Sequence, residues 1–492
     1  MTLYSQIKQV TGFSLGAMLA LALVSCESDP ESRFHWSPDG SRAGVLSNGT
    51  LHLVSKDGAI VETLKNSDED PGVLEIQSFG WLPGPEGMWI HRTRTLQTWA
   101  EVRLLLPEEQ VSDVERLSKA MPQLFSAMAA CYDPESDSNP VLEEIILKDT
   151  NYFAALAHAM IDIPDALAES LEGSPELHEE FASDVEPPFE EWELHELVTL
   201  KGNASAISRA TPAIPFLRSL TSFSQIKASP TLPILATTRS PGFLSDVVQL
   251  EVHSMDGSLH HQLGKQESEF DFAWSLDGLS LVIMSSQGDD ELHSIRRRLL
   301  FHESGRKLTG EEEETTVLAN MVSHHGPWLE VLSSNDILFS STPSTFPTVL
   351  AEDSNEKSRL YRISESENAM KPIAHQADAL PSDGHYVVSP DGKRVAIVET
   401  SSDAISVLEL EGGQVTLVSP EHSQWKCRTL PAWRSNTELS FVALGPEGKS
   451  IQWQLWDAET LETRVLSDSW PETTTDGWLV RPDPEKTAPT EP

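Results

Sequence analysis

The chain has 492 residues, with 35 Lys and Arg against 76 Asp and Glu, for a net charge of −41. At 39% hydrophobic residues it is apolar enough to bury a sizeable core, which excludes global disorder. The acid excess excludes a nucleic-acid partner, whose phosphates need a basic footprint, and electrostatic docking on an anionic membrane surface. Three cysteines without a CxxC pair exclude a disulfide framework and a cysteine-rich zinc or redox motif.

Lys8 is the only charge ahead of an apolar and small-residue run from Phe13 to Ser25. That run is too short to span a bilayer, which needs about 20 apolar residues, but it suits the core of a signal peptide. It ends in Leu23-Val24-Ser25-Cys26, which resembles the lipobox of bacterial lipoproteins. The resemblance implies cleavage before Cys26, diacylglycerol on its sulfur and acylation of its freed amine. Residues 1–25 are then a removed signal peptide and 26–33 a tether from lipidated Cys26. Several acyl chains on one residue anchor durably where a single chain is marginal. The residues from Glu27 to Arg33 reach at most about 25 Å, so the folded body is expected close to a membrane. Glu27 stands where an Asp would resemble an inner-membrane retention signal, so the expected address leans to the outer membrane, on its periplasmic face or the cell surface. The same segment contains Gly12-Phe13-Ser14-Leu15-Gly16, a GxSxG match. A nucleophile elbow needs a strand before it and a helix after it in a folded domain, so this serine is not read as catalytic.

From Phe34 a repeat organises the chain. Phe34-His35-Trp36-Ser37-Pro38-Asp39-Gly40 precedes the apolar run Ala43-Gly44-Val45-Leu46. The pattern returns as Phe272-Ala273-Trp274-Ser275-Leu276-Asp277-Gly278 before Leu281–Met284, and as Val388-Ser389-Pro390-Asp391-Gly392 before Val395–Val398. Degenerate copies are Phe79-Gly80-Trp81 with Pro83 to Gly87, and Ala432-Trp433-Arg434-Ser435-Asn436. Two more lack the signature: Ala228-Ser229-Pro230 before Ile234, and Ser333-Ser334-Asn335-Asp336 before Ile337. Pro presets the φ of a tight turn, Asp accepts nearby backbone hydrogen bonds, and Gly takes the positive φ that closes the hairpin. Second turns such as Asp57-Gly58, Asp256-Gly257 and Glu411-Gly412-Gly413 separate outer strands.

Trp36 and Trp81 lie 45 residues apart, as do Val388 and Trp433, which fits four short strands and their turns. Units that cannot bury their faces alone must stack, and a closed ring protects nearly all their edges. The expected fold is therefore all-β, a β-propeller of about seven four-stranded blades, with six or eight as alternatives. The repeat resembles that of TolB-like and WD-repeat-like propellers of bacterial envelopes, over roughly residues 30–107 and 200–472. In that reading Trp36, Trp274 and Trp433 pack between blades, and Asp39-Gly40, Asp277-Gly278 and Asp391-Gly392 form turns rather than metal sites. TolB proteins carry an α/β domain ahead of the propeller for engaging the Tol system. Only residues 27–33 separate Cys26 from the first repeat, so the resemblance does not imply a direct Tol role.

Strand patterning gives way to helical periodicity between the first blades (34–107) and the remaining ones (198–472). Within 108–197, Val111, Val114, Leu117, Met121, Leu124 and Met128 recur at helical spacing, as do Leu142, Ile145, Ile146, Phe153, Leu156 and Met160. This block holds 23 acids and 3 bases, about half of the net charge, and is expected as an acidic insertion within or after the second blade. Asp133, Glu135, Asp137, Asn139 and Glu144 place oxygens as an EF-hand loop does, but Ser138 stands where the sharp turn needs Gly. Asp133, Asp137 and Glu144 are therefore only weak metal candidates, and a polar turn is the expected structure. His178-Glu179 and His195-Glu196 lack the second His of HExxH, and the side chains of His260-His261 and His324-His325 diverge if they lie in strands. Cys131 and Cys427 are read as free thiols, and the Pro-rich tail 473–492 as disordered.

No phosphate loop, dinucleotide fingerprint or kinase signature is present, so no cofactor is expected. The expected function is a non-catalytic, membrane-anchored scaffold for an envelope protein or peptide, the acidic block favouring a partner with a basic surface. The alternatives are a glycan lyase or hydrolase with its site in the central channel, and a purely structural envelope protein.

Overall fold

The structure, a computed structural model, describes residues 34–131 and 192–468 except for connecting stretches, the longest being 65–72, 201–214, 342–358 and 374–383. The lipobox and Cys26, the calcium-like residues Asp133, Asp137 and Glu144, His178, His324, His325 and the tail lie outside the described residues, as do the side chains of Cys131 and Cys427.

Seven antiparallel sheets follow one another along the chain: blade 1 (34–64), blade 2 (73–219), blade 3 (223–267), blade 4 (270–322), blade 5 (329–372), blade 6 (384–418) and blade 7 (426–467). Each is a meander of four strands in chain order, except that the inner strand of blade 7 is split into Lys426–Cys427 and Ala432–Trp433. This is a seven-bladed β-propeller.

The repeat builds its turns as the side-chain chemistry dictates. In blade 1 Ser37 Oγ donates to Asp39 Oδ1 at 2.6 Å and accepts from the Arg42 amide at 3.1 Å. Ser275 with Asp277, and Ser389 with Asp391, repeat that pattern. Gly40, Gly278 and Gly392 all have φ between 65° and 69°. In blade 5, where the glycine is missing, Asn335 takes the left-handed conformation at φ 66°, and its amide donates to Leu332 O as Gly278 N does to Ser275 O. Asn is the residue that best tolerates this region without being Gly, so the signature is lost but the turn is kept.

There is no single core. Seven apolar clusters each straddle one seam between consecutive blades. Blade 4 shows why its strands read as unbroken apolar runs: Phe272, Trp274, Leu281 and Ile283 face blade 3, while Ala273, Val282 and Met284 face blade 5. A strand buried on both faces has no polar alternate, as in sheets covered on both sides.

The repeat tryptophans tie neighbouring blades. Trp81 Nε1 donates to His35 O at 3.1 Å, Trp274 Nε1 to Lys227 O at 2.9 Å and Trp433 Nε1 to Val387 O at 2.9 Å. Each thereby bonds the inner strand of the preceding blade. Trp36 stands in the first described blade, and its indole donates to Ser440 Oγ of blade 7 at 2.6 Å, closing the ring. Among the described residues no strand is exchanged between the first and last blades; the closure rests on side-chain packing and on the bonds from Trp36 to Ser440 and from Arg434 Nε to Gly40 O.

The helical block enters between the second strand of blade 2, Met88–Leu96, and its third strand, Trp192–Leu200. Helix α1 (Trp99–Val102) and helix α2 (Glu108–Cys131) are its described parts. Two details differ from the sequence expectation. Residues 192–197, counted with the helical block, are strand, because Leu194–Leu197 pair in full register with Met88–Leu96 and are buried there. On α2 the buried face is Val111, Val114, Ser118 and Met121, with Leu117 only half-buried. The 3-4-3 spacing follows the 3.6-residue turn, which carries Ser118 rather than its apolar neighbour inward.

Candidate functional site in the central channel

Each inner strand places one residue, immediately before the repeat Trp position, on the side facing the next blade. The described series is His35, Gly80, Lys227, Ala273, Glu330, Val387 and Ala432. Four of these line one cavity of about 370 Å³. Its walls come from the inner strands of blades 1, 5, 6 and 7 together with Leu276 of blade 4, and only a space on the propeller axis touches so many blades. Ser389, Pro390 and Gly392 also line it, so it opens at the end where the first-to-second-strand turns lie.

The walls are largely apolar and aromatic, with Tyr386, Leu430 and Trp433 among them. Glu330 is the carboxylate at this site. Its Oε1 accepts only a long bond, 3.3 Å, from the Val331 amide. Protein encircles it although water still reaches it, and that burial pushes its proton affinity up; Asp271 adds to the rise and Lys227 opposes it. His35 is likewise surrounded, and burial lowers it to about 4, so it is neutral at pH 7.

A buckle beside the cavity joins three blades. Lys227 Nζ of blade 3 donates to Asp271 Oδ1 of blade 4 at 2.8 Å, and the Leu329 amide of blade 5 donates to Asp271 Oδ2 at 2.9 Å. Asp271 is thus satisfied and Lys227 matched, which leaves Glu330 as a carboxyl group on the wall with no ion pair of its own among the described residues. Ser389 is tied up in its turn, giving its proton to Asp391 and accepting from Arg394 N. What this arrangement does best is hold a guest that combines an apolar body with a cationic group.

Of the sequence-selected residues, Trp36, Gly392 and Trp433 also border the cavity, while the others stand elsewhere. Asp39, Asp277 and Asp391 cap turns, and Trp36, Trp274 and Trp433 sit in seams. His195 and Glu196 point to opposite faces of one strand: His195 Nδ1 lies 3.1 Å from His91 Nε2, whereas Glu196 bonds Arg92 at 2.9 Å and Arg218 at 3.2 Å. Glu330 and His35 were not singled out from sequence. The signal that finds them is their place in the repeat, one residue before the Trp position.

No family model matches the chain, and no curated protein matches it. Among solved structures it is similar to TolB from Acinetobacter baumannii, at 12% identity and a TM-score of 0.34, over 55% of this chain and 58% of that one. It is also similar to the β-propeller domain of Cps50 (Swd1) from Myceliophteria thermophila, at 9% identity and a TM-score of 0.42, over 87% of this chain and 96% of that one. A third is an oligogalacturonate lyase in complex with manganese, at 12% identity and a TM-score of 0.37, over 78% of this chain and 74% of that one. At such identities the likeness concerns fold alone.

Proposed function

We propose that this chain is an envelope lipoprotein, anchored through Cys26, whose propeller is a scaffold that captures a segment of a partner protein in the mouth of its central channel. The observation that carries the reading is Glu330: a carboxyl group with no ion pair of its own among the described residues, in a cavity of about 370 Å³ lined mostly by apolar and aromatic residues. A lysine or arginine side chain, or a free peptide amine, supplies the missing charge, and its aliphatic stem packs on the walls. The acid excess of the chain steers a basic partner toward it.

The test is affinity capture from solubilised native membranes with wild-type protein and Glu330→Gln. The wild type is expected to retain a defined partner with a basic segment, and the variant, isosteric but uncharged, to lose it. An identical partner set for both proteins defeats the channel reading. Glu330→Gln is also expected to raise Tm slightly near pH 7. A buried acid whose affinity for protons is raised on folding destabilises the fold as pH climbs through that range, and the amide removes this cost. Cys26→Ser is expected to move the protein from the membrane fraction to the soluble one.

A further inference from the structure

A second polar cluster lies away from the channel, on the outer half of blade 3. Glu251 and His253 are two apart on the strand Val247–Ser254 and so share a face. The turn at Asp256-Gly257 returns the chain so that His260 pairs with His253, while His261 pairs with Val252 and points to the other face. Glu251 is fully buried, the His253 side chain is 4% exposed and that of His260 is 50% exposed.

The donor atoms converge. His253 Nε2 lies 3.2 Å from Glu251 Oε2, His260 Nε2 lies 3.5 Å from Glu251 Oε1, and all three ligand atoms fall within 4.8 Å of one another. Tetrahedral zinc with bonds of about 2.0–2.1 Å to N and O spaces neighbouring ligand atoms about 3.3 Å apart. Two of the three edges already have that spacing. His253 Nε2 is buried, lies against Glu251 Oε2 and makes no hydrogen bond that satisfies it.

The contacts around the cluster leave an acceptor position open beside His253. Burial alone would raise Glu251, but contacts with His253 and the guanidinium of Arg239 hold it well below the usual carboxylate range, so it is ionised. A carboxylate offers about four acceptor positions. Arg239 takes one on each oxygen, at 3.0 and 2.9 Å, and Gln262 approaches Oε1 at 3.3 Å, which leaves a position on Oε2 beside His253.

We propose that Glu251, His253 and His260 form a site for a divalent transition metal of the zinc and cobalt class, with His260 as the solvent-facing ligand. The two imidazoles stack with centroids 4.8 Å apart and planes 8° from parallel, so His260, half in solvent, tilts to bring its nitrogen onto the ion. The positive charge of Arg239 opposes a second cation, which makes this a weaker site than a closed thiolate one. Three protein ligands leave the fourth position to water or to a group from a bound partner.

Full-length protein without a histidine tag is titrated with Zn²⁺ by calorimetry and with Co²⁺ by visible absorption. One ion per chain and a tetrahedral Co²⁺ spectrum are expected. His260→Ala, at an exposed position that leaves the fold intact, is expected to weaken binding about tenfold or more. His261→Ala is expected to bind as wild type, and Zn²⁺ is expected to raise Tm in the wild type but not in His260→Ala. Absence of binding up to millimolar Zn²⁺, or equal affinity in wild type and His260→Ala, overturns the proposal.

Discussion

At the seam between blades 7 and 1, Phe34, Trp36 and Trp453 pack ring against ring, with Trp36 and Trp453 stacked at 5.2 Å and Arg434 lying over Trp36 at 5.4 Å. At the seam between blades 2 and 3 an apolar cluster with Trp89 and Phe223 is joined by His91 and His195, whose imidazoles meet through their nitrogens at 3.1 Å. Both seams are buried and apolar, but the second adds a pair of imidazoles to its apolar cluster. The difference follows from what each must withstand. Blades 2 and 3 are consecutive in the chain, which keeps them neighbours whatever their side chains do. Blades 7 and 1 meet only because the ring closes, and no shared strand holds them among the described residues, so aromatic burial carries most of that closure, with the Trp36–Ser440 bond beside it.

Three predictions break or sharpen this contrast. Trp453→Ala at the closing seam is expected to cost about 3–5 kcal/mol, the usual range for removing a buried Trp, and to lower Tm more than a comparable truncation at another seam. Denaturant unfolding measures it, and a loss below 1 kcal/mol would show that closure does not rest on these rings.

The second concerns pH. Burial holds His91 well below its ordinary value and lowers His195 to about 4. A base whose affinity for protons is depressed on folding contributes stability above pH 6.5, and this is lost as pH falls toward 4 because the unfolded chain is protonated first. The loss for His195 alone is roughly 3 kcal/mol at full effect. Tm is therefore expected to drop between pH 6.5 and 4, and His91→Leu to flatten that drop while Trp453→Ala leaves its shape unchanged. Parallel profiles for wild type and His91→Leu would refute the assignment to this seam.

The smallest effects separate the inter-blade tryptophans. Trp274→Phe strips Lys227 O of its partner and is expected to cost about 1–3 kcal/mol, the price of an unmet buried carbonyl. Trp36→Phe is expected to cost about 1 kcal/mol or less, because Ser440 Oγ still donates to Ala432 O at 2.9 Å. Equal losses in the two variants would mean that ring contact, not the indole N–H, does the tying.

The fold was legible because its signals are local. Ser37, Asp39 and Gly40 satisfy one another within six residues, so their order in the chain already states the turn, and its recurrence, with the 45-residue steps from Trp36 to Trp81 and from Val388 to Trp433, states the ring. Asn335 shows the limit of that reading: the turn survives without its glycine, visible only through its positive φ. The strand Trp192–Leu200 was hidden because its acidic residues and histidine look like the helical block until their pairing with Met88–Leu96 is known.

The sites were legible only in part. Glu-x-His at 251 and 253 is a sequence fact, but His260 joins it only once the hairpin register sets it against His253. Glu330 looks like any acid between two apolar residues until the ring brings it to the axis. By itself the sequence determined the repeat unit, its turn chemistry and the helical insertion, since these depend on neighbours a few residues away. The tertiary structure alone decided which seams are aromatic and which hold neutral histidines, which carboxylate faces the channel and which three donors converge. Those choices rest on contacts between residues tens to hundreds of positions apart, and register and ring closure, not local spacing, bring them within a few ångströms.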